Sequence, residues 1–306
     1  MIFRHEYSGG VWVDLEQPTE DEVRDITREF SISKRIETEL LYPTPLPLTV
    51  NDEDEELLVL HFPAHDTNDG ETKNQELDFV VGHNFIVTVR YEIVAPLYHL
   101  MKLLDAQKMI EGRPTLATDM LLEILFAHLY TAMRDHTNHL VENLARVEKD
   151  MFNGHERTTV RTISNINREF LRIEAELANQ EEPLDHFLQA LTQHNFFGTH
   201  FTHRIERIQM QRMQVERLVK THRTITTELR ETNIALLEVR QNEIMKTLTI
   251  VNFIFLPLGL ITWTFTMRTE GMPFVDSPNA FWIVLAIMFG VAMLLITFFI
   301  KKRWLF

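Results

Sequence analysis

The sequence predicts an α+β soluble domain, then one very long stalk helix, then a two-helix transmembrane hairpin. Three observations predict it. Two apolar runs, Leu248 to Phe265 and Ala280 to Ile300, are separated by a short hydrophilic loop and followed by Lys301, Lys302 and Arg303. Neither Gly nor Pro interrupts the 58 residues from Thr199 to Leu256. Ahead of residue 95, short alternating segments separated by turn residues read as strands.

Composition narrows the function before any motif does. Two such apolar runs in a chain whose mean hydropathy is only −0.12 leave the remainder hydrophilic. The absence of Cys excludes thiolate metal sites, disulfides and thiol nucleophiles. A net charge of −14 argues against nucleic acid as a partner and suits the gathering of cations by a diffuse negative potential. The first residues, Met1 to Tyr7, carry no apolar signal region, so the N-terminal portion is expected in the cytoplasm.

Residues 1–95 form the α/β subdomain. Val11 to Leu15 alternates as a strand, and Pro18 to Glu22 opens a helix with Thr19 and Glu22 at capping-box spacing. Leu57 to Phe62, Leu77 to Val81 and Phe85 to Val89 read as further strands, the last two joined by a hairpin turn at Gly82-His83-Asn84. The acidic run Asn51 to Glu56 lacks the Gly and the spacing of a calcium loop and reads as a solvated turn.

Residues 96–198 form a helical subdomain. Thr115 to Phe152 lies between Pro114 and Gly154, with apolar residues at helical spacing along Leu121, Leu125, Leu129, Leu140, Leu144 and Val147; a second helix runs from about Thr158 to Asn179. His128, His136 and His139 could bring two imidazoles to one face, but no further ligand is placed to complete a metal site. No Gly-rich phosphate loop or catalytic pairing is present. The chain therefore reads as a protein without enzymatic chemistry or cofactor.

Residues 199–265 form the stalk and first membrane segment. At 1.5 Å per residue the uninterrupted stretch allows a helix about 87 Å long, passing from the cytoplasm straight into the bilayer. Its first half is polar on most faces, through Arg204, Glu206, Arg207, Arg212, Glu216, Arg217 and Lys220. A lone helix of this kind gains little from packing, so association around an axis is expected.

A bilayer core about 30 Å thick needs roughly 20 apolar residues in helix to cross it, because lipid cannot satisfy free backbone amides. Residues 246–265 and 280–300 meet that need, and the basic cluster after the second sets the pair apart from core helices of a soluble protein. Lys246 and the basic tail at 301–306 flank the cytoplasmic side, whereas the loop at 266–279 holds one Arg against Glu270 and Asp276. The positive-inside rule then puts both termini in the cytoplasm and the loop outside.

If one stripe of the long helix faces an axis, spacing of three to four residues selects Asn242, Met245, Thr249, Asn252, Leu256, Gly259 and Trp263, with Leu248 beside Thr249. Asn242 and Asn252 offer amide oxygens to a hydrated cation, and Met245, Leu248 and Leu256 suit rings that close by excluding water. The two Asn equally suit hydrogen bonds between neighbouring membrane helices. Pro257 and Gly259 allow a bend.

These segments resemble a known family. Asn242 to Ile250, Ile254 to Leu258, Met272-Pro273 and Lys301 to Leu305 match in order and spacing the membrane portion of the CorA family of divalent-cation transporters. Trp12 to Leu15 with Pro18 to Glu20, and Asn84 to Val89, resemble that family's N-terminal domain. The resemblance implies a funnel-shaped homopentamer in the bacterial inner membrane, with the long helix lining the pore and the second membrane helix outside it. It implies Mg²⁺, Co²⁺, Ni²⁺ or Zn²⁺ as substrate. Glu231 matches an acidic stalk position that some members use for regulatory metal, and a surface salt bridge is its alternative reading.

The family ends its first membrane helix with Gly-Met-Asn, whose oxygens hold a hydrated cation at the outer mouth; here those positions are Thr266, Met267 and Arg268. A dication about 6 Å from one Arg is repelled by roughly 1.4 kcal/mol even at the dielectric of water. Arg268 is therefore expected to turn away from the ion and pair with Glu270 or a neighbouring subunit. The alternatives are a changed ion or a scaffold that has lost conduction.

Overall fold

The computed structural model describes residues 1–52, 54–65, 72–111, 116–267 and 279–302. The chain forms two compact units, Met1–Arg230 and Glu231–Phe306.

The first unit is built on a six-stranded sheet. Its strands are β1 (Ile2–Tyr7), β2 (Gly10–Glu16), β3 (Leu48–Asn51), β4 (Glu55–His65), β5 (Thr72–Gly82) and β6 (Phe85–Arg90), in the order β1-β2-β6-β5-β4-β3. Only β2 and β6 run parallel; every other neighbouring pair is antiparallel. The hairpin expected at Gly82-His83-Asn84 joins β5 to β6. At the head of the parallel pair Val11 N–H donates to the Asn84 carbonyl at 3.0 Å. Gly10, at φ 157°, is required there because a Cβ would lie 1.7 Å from the same oxygen.

One face of the sheet is covered by α1 (Glu20–Glu29) and α2 (Lys34–Glu39), which bury Val23, Ile26 and Ile36 against Val13, Leu57, Val59, Val80 and Val87. Thr19 caps α1 as expected, accepting from Glu22 N–H while the Glu22 carboxylate takes the Thr19 N–H. The other face meets α4 (Thr118–Phe152) and α5 (Glu156–Gln193), with Phe79 stacked on Phe126 and Phe62 edge-on to Tyr130. In chain order α3 (Ala95–Glu111) follows β6 and precedes α4. Gly154, at φ 90°, provides the left-handed residue that ends α4 and turns the chain into α5.

Ile2–Tyr7 adds strand β1, paired with β2, to the strands expected. Three expectations need correction. The acidic run is not a solvated turn throughout, since Glu55 and Glu56 enter β4 and are buried, leaving Asn51 and Asp54 exposed; Glu53 lies outside the described residues. The second long helix does not stop near Asn179 but runs through Pro183 to Gln193, because Leu184, Phe187, Leu188 and Leu191 bury completely and outweigh the hydrogen bond Pro183 cannot make.

The third concerns α6 (Phe201–Thr266), which belongs to both units. Its first half is not left to a partner for packing: Ile208, Val215 and Val219 are buried within the first unit. Arg204 reaches Asp119 at 2.6 Å and Glu123 at 2.7 Å, Arg207 also pairs with Glu123, and Arg223 pairs with Glu174. Arg212 is itself buried, donating to the Leu177 carbonyl at 3.0 Å with Glu181 and Glu216 each 3.3 Å away.

The second unit holds the rest of α6 and α7 (Ala280–Lys301), each with a window long and apolar enough to cross a membrane. α6 continues as helix past Pro257 to Thr266.

Candidate metal-ion pathway

Within the second unit, α6 meets α7 along one stripe. Ile250 is buried, and Ile254, Pro257, Ile261 and Phe265 are half-buried on the same side. Phe253 packs edge-on to Phe299 of α7 at 6.3 Å, and the Thr262 hydroxyl lies 3.7 Å from the Met288 sulfur. A helix turns about 100° per residue, so the stripe Asn242, Met245, Thr249, Asn252, Leu256, Gly259, Trp263 is centred about 150° around from the α7 stripe. That near-opposite face is open. Met245, Leu248, Leu256 and Trp263 are 52–70% exposed, Asn242 and Asn252 are exposed, and only Thr249 and Gly259 are half-buried.

The open stripe changes chemistry along its length. It begins with an amide at Asn242 and passes apolar side chains at Met245 and Leu248. It returns to polar groups at Thr249 and Asn252, then becomes apolar again at Leu256 and Trp263. Thr249 donates its hydroxyl proton to the Met245 carbonyl at 2.7 Å, so its oxygen presents only lone pairs outward. Thr266 does the same with the Thr262 and Trp263 carbonyls at 2.9 and 2.8 Å. A hydroxyl held this way is satisfied in lipid and can still accept from a cation's water shell.

The helix ends at Thr266, with Met267 N–H bonded back to Trp263 and Thr264 carbonyls at 3.3 Å. Thr266 and Met267 are exposed there, and Arg268, Glu270, Met272 and Pro273 lie outside the described residues. Glu231 is exposed on α6 three turns before Asn242. Among the described residues no group of three His or carboxylate side chains is arranged to hold a metal ion. The structure therefore does not gather His128, His136 and His139 into a ligand set, and burial, then His99, pushes the half-buried His128 imidazole below its ordinary range.

Carboxylates in the first unit are held in contrasting states. Arg207 and Arg204 draw Glu123 down by hydrogen bonds, keeping it charged. Burial drives Asp78 well above the usual carboxylate range, with Glu76 beside it adding to the rise. Neither state was visible in the sequence, because Glu123 of α4 depends on the arginines that α6 brings beside it, and Asp78 of β5 on the side of the sheet its carboxyl takes.

Residues 7–303 match the family described as CorA-like Mg²⁺ transporter protein. The chain is 20% identical over 303 residues to the cobalt/magnesium transport protein CorA of Methanocaldococcus jannaschii, covering 96% of this chain and 91% of that one. A 93-residue segment, 30% of this chain and 26% of the relative, is 34% identical to the cobalt/magnesium transport protein CorA of Thermotoga maritima. Among solved structures, the complete CorA magnesium transporter of Methanocaldococcus jannaschii superposes with a TM-score of 0.81 at 20% identity, covering 96% of this chain and 91% of that chain. The full-length CmaX protein follows at 0.63 and 16% identity, covering 97% and 89%.

Proposed function

The chain belongs to the CorA-like Mg²⁺ transporter family, a family of divalent-cation transporters, and from that premise we propose that it conducts hydrated divalent cations through a homopentameric pore lined by α6. The observation that carries this reading is the open stripe on α6. It lies opposite the face that α7 covers and alternates amide, apolar and hydroxyl positions as a gated, hydrated path requires. Asn242 and Asn252 are its polar rings, Met245, Leu248 and Leu256 its dewetting gates, and Thr266 with Met267 its outer entrance. Gly259 and Trp263 complete the wall. Glu231 is a candidate for a regulatory cation shared between subunits. Both termini lie in the cytoplasm, and no substrate is chemically changed.

The ion is Mg²⁺, Co²⁺, Ni²⁺ or Zn²⁺, and Arg268 at the entrance bears on which. Favouring a second reading, a membrane scaffold with little conduction, is the replacement of Gly-Met-Asn by Thr266-Met267-Arg268. Flux of the four ions into proteoliposomes separates the two. Uptake of at least one ion down its gradient supports transport, and no uptake of any by correctly inserted protein supports the scaffold.

A further inference from the structure

The alternation of β4 sends two adjacent carboxylates to opposite faces of the sheet. Glu55 points to the α2 side, where it accepts the Ser33 backbone N–H at 2.6 Å. Glu56 points to the other side and is completely buried, and neither of its oxygens accepts a hydrogen bond from any described residue. The basic group within its reach is His194, whose Nδ1 lies 3.2 Å from Oε1, close enough to pair but out of line for a hydrogen bond. Among the described residues, the other charges bearing on Glu56 are Asp52 and Glu55, both negative.

His194 occupies a particular place: it is the C-cap of α5 and remains 36% exposed, so its ring connects Glu56 to solvent. The chain then passes through Asn195, held at φ 51°, to Phe196, which stacks at 4.4 Å on His83 of the β5–β6 turn. His83 Nδ1 lies 3.3 Å from the Phe196 carbonyl, and Phe201 opens α6 five residues further on. The short connection that sets the start of α6 is thus seated on the sheet by Phe196 and by the Glu56–His194 pair.

We propose that Glu56, with His194 beside it, is a proton-operated latch at the start of α6: a proton held on the Glu56 carboxyl keeps the α5–α6 connection seated, and its loss to solvent releases it. Without that proton the carboxylate is buried and negative and faces two more negative groups. Burial, then Asp52 and Glu55, push Glu56 up to about 8, which sets the latch in the physiological range. The sign follows from a raised carboxylate. The closed form binds the proton more tightly than the open form. Its stability is therefore complete below the ordinary carboxylate range, falls as pH rises, and is exhausted once Glu56 has ionised. This device is independent of the transported ion.

Hydrogen exchange on the full-length protein in lipid nanodiscs, corrected for the intrinsic pH dependence of exchange, tests it. Linkage through one proton allows up to a tenfold rise in opening per pH unit. Amides at 192–200 should exchange at least tenfold faster at pH 8.5 than at pH 6.5, while amides of α4 change little. Glu56→Gln should abolish the rise and keep the segment protected at both values. Glu56→Leu, neutral and apolar, repeats the test should Gln disturb the site. Wild-type protection that is flat with pH, or a slope that survives in the neutral variants, overturns the proposal.

Discussion

Met245 and Leu248 stand one turn apart on α6, each more than half exposed, with amides following at Asn252 and preceding at Asn242. If they close the path by dewetting, a hydroxyl at either position lets water persist in the constriction. Met245→Ser and Leu248→Ser should each raise basal flux several-fold at low cytoplasmic metal, measured in proteoliposomes; unchanged flux from assembled protein would make both packing residues. Arg268→Asn separates two roles for that residue. If its charge faces the mouth, dication uptake rises and becomes less sensitive to ionic strength. If it is held by Glu270 or a neighbour, its loss leaves an unpaired carboxylate and lowers thermal stability with little gain in flux, which is the outcome we expect. In the first unit, Asp78 is fully buried, with Oδ1 unpartnered and Tyr91 hydroxyl 3.4 Å from Oδ2. Burial and Glu76 hold it neutral, so its contribution to stability is present at low pH and is lost as pH rises. Asp78→Asn should therefore flatten the decline of Tm as pH rises above the ordinary carboxylate range.

At the scale of elements, the parallel β2–β6 pair depends on a buried charge network. Arg90 donates to Asp14 at 3.0 Å and to Glu16 at 2.7 Å, while Thr88 donates to Asp14 at 2.6 Å and accepts from the Trp12 indole at 3.0 Å. Arg90→Ala strands Asp14, which is 1% exposed. Breaking a buried pair costs about 3–5 kcal/mol, a fall in Tm of roughly 10 °C for a unit of this size. Calorimetry checks it, and a change within a degree would show that Asp14 finds another partner. The sequence announced those elements whose signals are local: the Thr19–Glu22 capping box, the Gly82 turn and Gly154 after α4. It did not announce β1, which has one neighbour and takes its meaning from pairing with β2. Pro183 concealed the last third of α5 because the compensation for its missing N–H lies in contacts made after folding. The charged first half of α6 looked unpartnered because Asp119, Glu123, Glu174 and Leu177, which receive its arginines, come from helices distant in sequence. The stripe proposed to line a pore rests on spacing; what spacing could not show is that α7 leaves that face of α6 open.

At the scale of the molecule, one hairpin cannot enclose an aqueous path, so the proposed conduction requires several copies. A single dominant pentamer is expected by native mass spectrometry in mild detergent, and a monomer or dimer that retains metal flux would contradict the architecture. The chain lacks cysteine, which makes the central claim directly measurable. Single cysteines placed at successive positions from Asn242 to Trp263 should report which face of α6 meets water, through reaction with a small water-soluble thiol reagent and block of flux by Cd²⁺. The account predicts reaction and block with a period of three to four residues, at positions 242, 245, 249, 252 and 256, and protection at 250, 254 and 261. Reaction centred on the Ile250 and Ile254 face, or without any period, would contradict it.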